Sequence, residues 1–187
     1  AYAETSMSRR KFILHYFGEP FDAVNGDGAD MDDNARNPKP KEEAGEAVVK
    51  LLKVVQGTNE KFKSKEIVKI LVGKTNAMIT SHKTDEKDFF GLGSEHDEAF
   101  WMALTRQVLV AGLMKKEIER YGILHLTDAG REFLASPTSF EMTKDHVYRD
   151  NEDDSIVTAG KSNGAAADDT LLKLLKDLRK KEAHKLE

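Results

Sequence analysis

The sequence predicts a mainly α-helical fold with one small β-hairpin, in which a three-helix domain follows a separate helical segment. Three observations support this prediction. Apolar residues recur at helical spacing in three stretches between residues 41 and 111. A glycine closes each of these stretches. Two short apolar runs then flank a turn at residues 119–122, and three helices followed by a hairpin form the winged variant of the helix-turn-helix.

Residues 1–39 form the first predicted segment. Its helix begins after Ser8 and can end at Gly18. The apolar residues that fall at helical spacing in it are Phe12, Ile13, Tyr16 and Phe17. An acidic, turn-rich stretch follows at residues 25–34. Pro38 and Pro40 bias the residues before them away from helix, so we expect a boundary there.

Residues 41–136 form the predicted winged-helix domain. Ser64 is the predicted N-cap of its second helix, and Ser94 with Asp97 resembles a capping box at the start of the third. The predicted apolar positions are Ala44, Val48, Leu51, Leu52 and Val55 in the first helix, Ile67, Ile70 and Leu71 in the second, and Trp101, Leu104, Val108 and Ala111 in the third. Strands at residues 113–118 and 123–127 and a short helix at residues 128–134 complete the domain.

The remaining sequence predicts a linker and one more helix. Residues 137–168 have little periodicity and many acidic or small residues, which is typical of a flexible linker. Residues 169–187 predict an amphipathic helix rich in Lys and Arg. Its apolar residues are Leu171, Leu174, Leu175 and Leu178.

Composition excludes several classes of function. The 187 residues include no cysteine, so disulfides, thiolate metal sites and a cysteine nucleophile are excluded, and a reducing compartment is favoured. No apolar run reaches the roughly 18–20 residues of a membrane span, and no signal peptide opens the chain. We therefore expect a cytoplasmic protein without a membrane partner. The net charge of −4 argues weakly against a strongly basic nucleic-acid binder, although a local basic patch can suffice.

The sequence predicts no catalytic residue. A complete phosphate-binding loop is absent, because Val68 and Ser155 stand where its first glycine would precede the two Gly-Lys-Thr/Ser fragments. The six histidines are isolated, and no nucleophile with a base can be argued from spacing. This chain alone is therefore not expected to hydrolyse ATP, and whether it belongs to an enzyme is left open by these residues.

Five segments, taken in order, resemble the RQC region of RecQ-family DNA helicases. They are residues 8–19 (SRRKFILHYFGE), residues 70–76 (ILVGKTN), residues 90–93 (FGLG), residues 100–108 (FWMALTRQV) and residues 124–130 (LHLTDAG). The tail at residues 171–187 resembles the first helix of the helicase-and-RNase-D C-terminal domain that follows the RQC region in many members. The resemblance implies part of an ATP-dependent 3′–5′ DNA helicase acting in recombination and repair. Motor lobes that hold ATP and Mg are then expected before Ala1.

The resemblance also implies a structural zinc ion, but this chain lacks the cysteines that bind it in the family. The family places four cysteines in the first segment, whereas Ser8 stands at the first position and the acidic stretch at the others. Serine is a poor zinc ligand, so zinc is predicted absent and residues 1–39 are a degenerate zinc-subdomain-like segment. The acidic residues Asp27, Asp30, Asp32 and Asp33 are predicted to form a solvated turn, with a hard-cation site as the alternative.

Duplex or branched DNA is the partner that the resemblance implies. The candidate contacts are Lys63 and Lys65 at the start of the second helix, Lys74, Thr75 and Asn76 in the loop after it, Ser94 at the third helix N-terminus, and Arg120 and Tyr121 at the hairpin turn. Arg106 and Gln107 match family positions but are predicted to be structural. Acidic residues between 85 and 98 predict weak, salt-sensitive binding. The alternatives are a protein-interaction module without DNA contact and, behind it, a small metal-dependent regulator using residues 27–33.

Overall fold

The computed structural model describes residues 2–3, 5–144 and 169–183. The chain divides into two compact units, Ala1–Val147 and Tyr148–Glu187. The described part is mainly helical, with two small antiparallel sheets of two strands each. None of its helices combines the length and apolar character that a membrane crossing needs.

Two short helices organise the first segment. Helix α1 spans Arg9–Tyr16 and helix α2 spans Asp33–Arg36. The predicted first helix is thus observed, but all of its residues keep some exposure. Tyr16 and Phe17 are 75% and 71% exposed. Helical spacing places apolar residues on one face, and among the described residues only Phe12 of that face is half-buried, while Ile13, Tyr16 and Phe17 are exposed.

Strand β1 and four helices form the first part of the domain that follows. They are β1 at Lys41–Glu43, α3 at Gly45–Gly57, α4 at Ser64–Val72, α5 at Ala77–Ser81 and α6 at Glu98–Val110, with a 3-10 turn at Thr84–Glu86. Helices α3, α4 and α6 pack together around Leu51, Ile67 and Trp101, which are fully buried. The three predicted helices are therefore observed. Among the apolar positions predicted for these three helices, Ala111 is the exception, because it follows the last residue of α6 and is exposed.

The predicted hairpin and closing helix are also observed. Strands β2 at Met114–Glu117 and β3 at Ile123–Leu126 pair antiparallel, with Met114 opposite Leu126 and Glu117 opposite Ile123. Between them Gly122 has a φ of +82°, a left-handed conformation that glycine adopts at little cost. Helix α7 spans Asp128–Ala135 and is capped by the Thr127 hydroxyl.

A fourth strand corrects the predicted linker. Strand β4 spans Glu141–Thr143 and pairs antiparallel with β1, with Lys41 opposite Thr143. Met142 is buried in the core, and Gln107 of α6 exchanges two hydrogen bonds with the Thr143 backbone, at 2.6 and 2.9 Å. Residues 137–144 thus belong to the folded domain, and Gln107 has the predicted structural role. The rest of the predicted linker, residues 145–168, lies outside the described residues.

The second unit is described as one helix. Helix α8 spans Asp169–Ala183, within the predicted amphipathic helix. Leu174, Leu175 and Leu178 are exposed on it. The likeness of this helix to a helicase C-terminal domain stays a prediction.

Candidate nucleic-acid interface

The start of α4 lies against the hairpin. Lys63 is the N-cap residue of α4, so the prediction that Ser64 caps this helix is corrected by one residue. The Phe62 carbonyl accepts a hydrogen bond of 3.0 Å from the Leu124 amide, and Lys63 forms an isolated bridge with Ile123. Strand β3 therefore fixes the direction in which the Lys63 side chain leaves the backbone.

Two predicted site residues, Lys63 and Tyr121, meet at the hairpin turn. The Lys63 ammonium nitrogen lies 5.7 Å from the centroid of the Tyr121 ring, which is a cation–π distance. Tyr121 is 85% exposed and has a φ of +58°, uncommon for a residue with a side chain. The turn thus presents an aromatic ring and a cation together to solvent.

Basic residues surround this pair. Lys116 lies against the turn, because a Cβ added at Gly122 would be 2.5 Å from the Lys116 Cε atom. Arg120 is exposed and lies 3.7 Å from Glu117, a distance at which the ion pair is weak. We call Lys63, Lys116, Arg120 and Tyr121 the tip cluster. Sequence reasoning missed Lys116, although two consecutive lysines in a strand that leads into the turn were a usable signal.

Lys65 and Lys74 occupy different ends of α4. Lys65 is exposed in the first turn, whereas Lys74 follows Gly73, which ends the helix with a φ of +75°. The nine residues of α4 rise about 1.5 Å each, so these ends are roughly 13 Å apart. The Lys74 ammonium lies 2.6 Å from the Glu98 carboxylate. A phosphate would have to compete with Glu98 for this lysine.

The loop after Lys74 serves mainly to start α5. Thr75 is exposed. The Asn76 side-chain oxygen accepts a hydrogen bond of 2.9 Å from the Ile79 amide and caps α5, a helix that the sequence analysis did not predict. The Asn76 oxygen is therefore committed to the fold.

The predicted anion site at Ser94 is corrected. Helix α6 begins at Glu98, and its N-cap is Asp97, whose side chain accepts from the Phe100 amide at 2.8 Å. Ser94 lies in the preceding turn, with its amide bonded to the Gly91 carbonyl. An acidic cap at this helix end opposes a bound phosphate, so Ser94 lacks the helix-terminus environment that was expected for it.

The glycine turn at residues 91–93 has a structural task. The amides of Gly91 and Gly93 each donate a hydrogen bond of 2.8 Å, to the carbonyls of Ile70 and Leu71 at the end of α4. The Trp101 indole donates at 2.8 Å to the Gly93 carbonyl. These amides are occupied, and the turn ties α4 to α6.

A family comparison agrees with this architecture. The family model of the RQC domain matches residues 38–151. The chain belongs to the RQC domain family. The resemblance drawn from the five sequence segments is thereby confirmed.

Curated relatives of this RQC domain are whole helicases. The chain is similar to the ATP-dependent DNA helicase RecQ of Pasteurella multocida, with 21% identity over 185 residues that cover 98% of this chain and 28% of that protein. It is also similar to the ATP-dependent DNA helicase RecQ of Haemophilus influenzae, with 22% identity over 147 residues that cover 78% of this chain and 23% of that protein. The chain thus spans about a quarter of the length of these relatives.

Acidic side chains near α6 of the RQC domain are partly neutralised. Glu95 lies 2.6 Å from the Lys50 ammonium, as Glu98 does from Lys74. Burial is the largest influence on Glu95 and would raise its pKa, but the hydrogen bond and charge of Lys50 and the Glu95 backbone amide together hold the pKa below its ordinary value. The carboxylates expected to repel DNA are therefore less repulsive than their number suggests.

A charged network fixes the hairpin of the RQC domain to its helices. The His125 ring contacts two carboxylates, with Nδ1 2.9 Å from Glu60 and Nε2 2.7 Å from Glu117. Arg131 of α7 lies 2.7 Å from the other oxygen of Glu60. Glu60 sits in the loop between α3 and α4. The network therefore joins that loop, the hairpin and α7, and it sets the position of the tip cluster.

Replacing Glu60 by Gln is expected to lower the free energy of unfolding by roughly 1 kcal/mol at pH 7, because charge-assisted bonds from His125 and Arg131 are lost. Burial raises the pKa of Glu60, but the hydrogen bonds from His125 and Arg131 and the Arg131 charge together outweigh it and lower the pKa below its ordinary value. A lowered folded pKa gives stability that is present above the unfolded pKa and is lost as pH falls through the folded pKa.

The measurement is urea unfolding of the parent chain and the Glu60→Gln variant from pH 7 to pH 3. The difference between their free energies of unfolding should shrink below about pH 4.5, where the Glu60 carboxyl of the unfolded chain begins to take up a proton. Glu46→Gln, at an exposed position of α3, is the matched control. A difference that stays constant through this range would contradict the assignment.

Proposed function

We propose that this chain is the DNA-binding RQC region of a RecQ-like ATP-dependent 3′–5′ DNA helicase that acts in recombination and repair. In this proposal helices α3, α4 and α6 with the β2–β3 hairpin form a winged helix. Duplex or branched DNA is the proposed partner. Motor lobes in the full-length helicase are proposed to supply ATP hydrolysis with Mg. The parent protein is proposed to be cytoplasmic.

One observation carries the proposal, namely that Lys63 and Tyr121 meet at an exposed turn. Two elements that are far apart in sequence place a cation and an aromatic ring side by side, and Lys116 and Arg120 add positive charge there. Cations that neutralise phosphates give affinity without reading sequence, and an exposed ring can stack on an unpaired base. This combination fits a junction between paired and unpaired DNA.

The magnitudes limit what the turn does. Stacking of one base on an aromatic side chain contributes about 1–3 kcal/mol. Opening one base-pair step costs on average about 1.4 kcal/mol of stacking. Tyr121 can therefore hold an end pair open once it is broken, whereas continuous strand separation needs the motor.

Replacing both Lys63 and Lys116 by Ala is expected to weaken binding to a forked duplex and to reduce its salt dependence. Each lost phosphate contact lowers the slope of log affinity against log salt by about 1. The measurement is fluorescence anisotropy of a labelled fork titrated with the chain at several salt concentrations. Lys53→Ala, which removes an exposed lysine from α3, is the matched control.

The variant Tyr121→Ala separates stacking from charge in the same assay. We expect weaker binding to the fork, with the salt slope and the affinity for a blunt duplex unchanged, because the ring carries no charge. If the double variant of Lys63 and Lys116 and the variant Tyr121→Ala both bind the fork with the affinity of the unmodified chain, the proposed interface is wrong.

A protein-interaction module is the second candidate, and the exposed face of α1 favours it. Ile13, Tyr16 and Phe17 are all exposed, and large exposed apolar side chains mark protein contacts more often than phosphate contacts. This candidate replaces the DNA-binding proposal if substitutions in the tip cluster leave the affinity for DNA unchanged.

A further inference from the structure

The first segment has few apolar contacts to hold it together. Helix α1 leaves all of its residues at least partly exposed, and a short segment of this kind needs another cross-link. The RQC resemblance implies that four cysteines and a zinc ion supply it. The chain has no cysteine, and among the described residues no group of three or more His, Cys, Asp or Glu side chains is placed to hold a metal ion. The residues present do not fit the expected site.

Two helix caps meet where the metal is expected. The Ser8 hydroxyl accepts from the Lys11 amide at 3.2 Å and so caps α1. The Asp32 side chain accepts from the Ala35 amide at 2.9 Å and so caps α2. The Ser8 hydroxyl then donates to the second Asp32 oxygen at 2.8 Å. This hydrogen bond joins the N-caps of the two helices, and the same Asp32 oxygen also accepts a bond of 3.4 Å from the Arg10 amide.

The charge on Asp32 suits this position. Both helices direct their N-termini toward it, and the positive end of a helix dipole stabilises a nearby carboxylate. Burial raises the pKa of Asp32, but hydrogen bonds from the Ser8 hydroxyl and from the amides of Ala35, Arg9 and Arg10 together outweigh it and lower the pKa below its ordinary value. The carboxylate is therefore ionised at neutral pH.

Neighbouring residues extend the connection on both sides. Arg9 donates two hydrogen bonds to Asp33, at 2.6 and 3.1 Å. The Asn34 side-chain nitrogen donates to the carbonyls of Thr5 and Met7, each at 2.8 Å. Asn34 is only 5% exposed, so these bonds are shielded from water. Three consecutive residues of one stretch thus hold the chain before and within α1.

We infer that a metal-free polar clamp, formed by Ser8, Arg9, Asp32, Asp33 and Asn34, takes the place of the family's zinc in holding the first segment. The acidic stretch at residues 25–34 then has a definite task. Its Asp32 and Asp33 carboxylates accept hydrogen bonds from protein donors.

The test uses the full chain and two measurements. Metal content is determined by mass spectrometry after purification, and hydrogen exchange of the α1 amides is followed with and without EDTA and a zinc-selective chelator. We expect far less than one equivalent of zinc and no change with either chelator. The variant Asp32→Ala should speed exchange in α1 about five- to tenfold, because α1 loses the hydrogen bond from its Ser8 cap to a charged carboxylate.

Two further variants keep the result interpretable. Ser8→Ala removes one hydroxyl and should act in the same direction as Asp32→Ala, whereas Asp27→Asn changes an exposed carboxylate of the same stretch and should leave α1 unchanged. Fluorescence of Trp101, the one tryptophan in the chain, reports that the RQC domain stays folded. Stoichiometric zinc whose removal exposes α1, or unchanged exchange in both Ser8→Ala and Asp32→Ala, would overturn the inference.

Discussion

Replacing Trp101 by Ala should lower the free energy of unfolding by about 3–5 kcal/mol, the usual cost of deleting a large buried aromatic side chain. Trp101 is fully buried and contacts the Phe100 ring edge to face, with centroids 5.4 Å apart. Its indole also donates to the Gly93 carbonyl, so the substitution removes the bond that ties the glycine turn to α6. Because that turn caps the end of α4, the loop carrying Lys74 should loosen as well.

The measurement is urea unfolding followed by far-UV circular dichroism, since the variant has no tryptophan fluorescence. Trp101→Phe keeps an aromatic ring but loses the hydrogen bond. Its free energy of unfolding should therefore lie between those of the parent chain and Trp101→Ala. Phe17→Ala, which removes an exposed aromatic residue, is the control and should have little effect. A loss below 1 kcal/mol in Trp101→Ala would contradict the structural task assigned to this residue.

Gly130→Ala should also destabilise the domain, against the usual preference of helices for alanine. Alanine normally stabilises a helix interior by about 1 kcal/mol relative to glycine. At Gly130 of α7, however, an added Cβ would collide with the Leu113 carbonyl oxygen, which is backbone and already accepts from the Thr127 amide. Overpacking of this kind costs about 1–3 kcal/mol and occasionally more, so we expect a net loss.

Thermal unfolding of Gly130→Ala and of Ala129→Gly gives a paired comparison within one helix. Ala129 is exposed, so Ala129→Gly reports the ordinary helix preference at the neighbouring position. Both variants should melt below the parent chain, although they change glycine content in opposite directions. A higher melting temperature for Gly130→Ala would mean that α7 can move away from Leu113, and the close approach would not be required.

Periodicity predicted the domain core well because burial and helical spacing agree there. Leu51, Ile67 and Trp101 each belong to a set of apolar residues at helical spacing within their own helix, and all three are fully buried. The same pattern in α1 did not predict exposure, since spacing shows which residues share a face and does not show what covers it. Tyr16 and Phe17 illustrate this limit.

Short strands and competing caps were not predictable in the same way. Strand β4 has three residues and pairs with a strand about 100 positions earlier, so its sequence carries no local signal. Ser94 and Asp97 are both acceptable caps, and the hydrogen bond from the Ser94 amide to Gly91 decides between them by keeping Ser94 in a turn. Of the candidate interface, Lys63 and Tyr121 were predicted singly, whereas their proximity depends on the bridge between Lys63 and Ile123.

The β1–β4 ladder determines how the RQC domain responds to a mechanical load. Lys41 lies opposite Thr143, and the Lys144 amide donates to the Pro40 carbonyl at 3.3 Å, so the chain enters and leaves the ladder at the same end. Tension between the segments before Pro40 and after Lys144 would separate the two strands one residue pair at a time, beginning with Lys41 and Thr143. The bonds between Gln107 and Thr143 would be reached early, before force is transmitted to the packed helices.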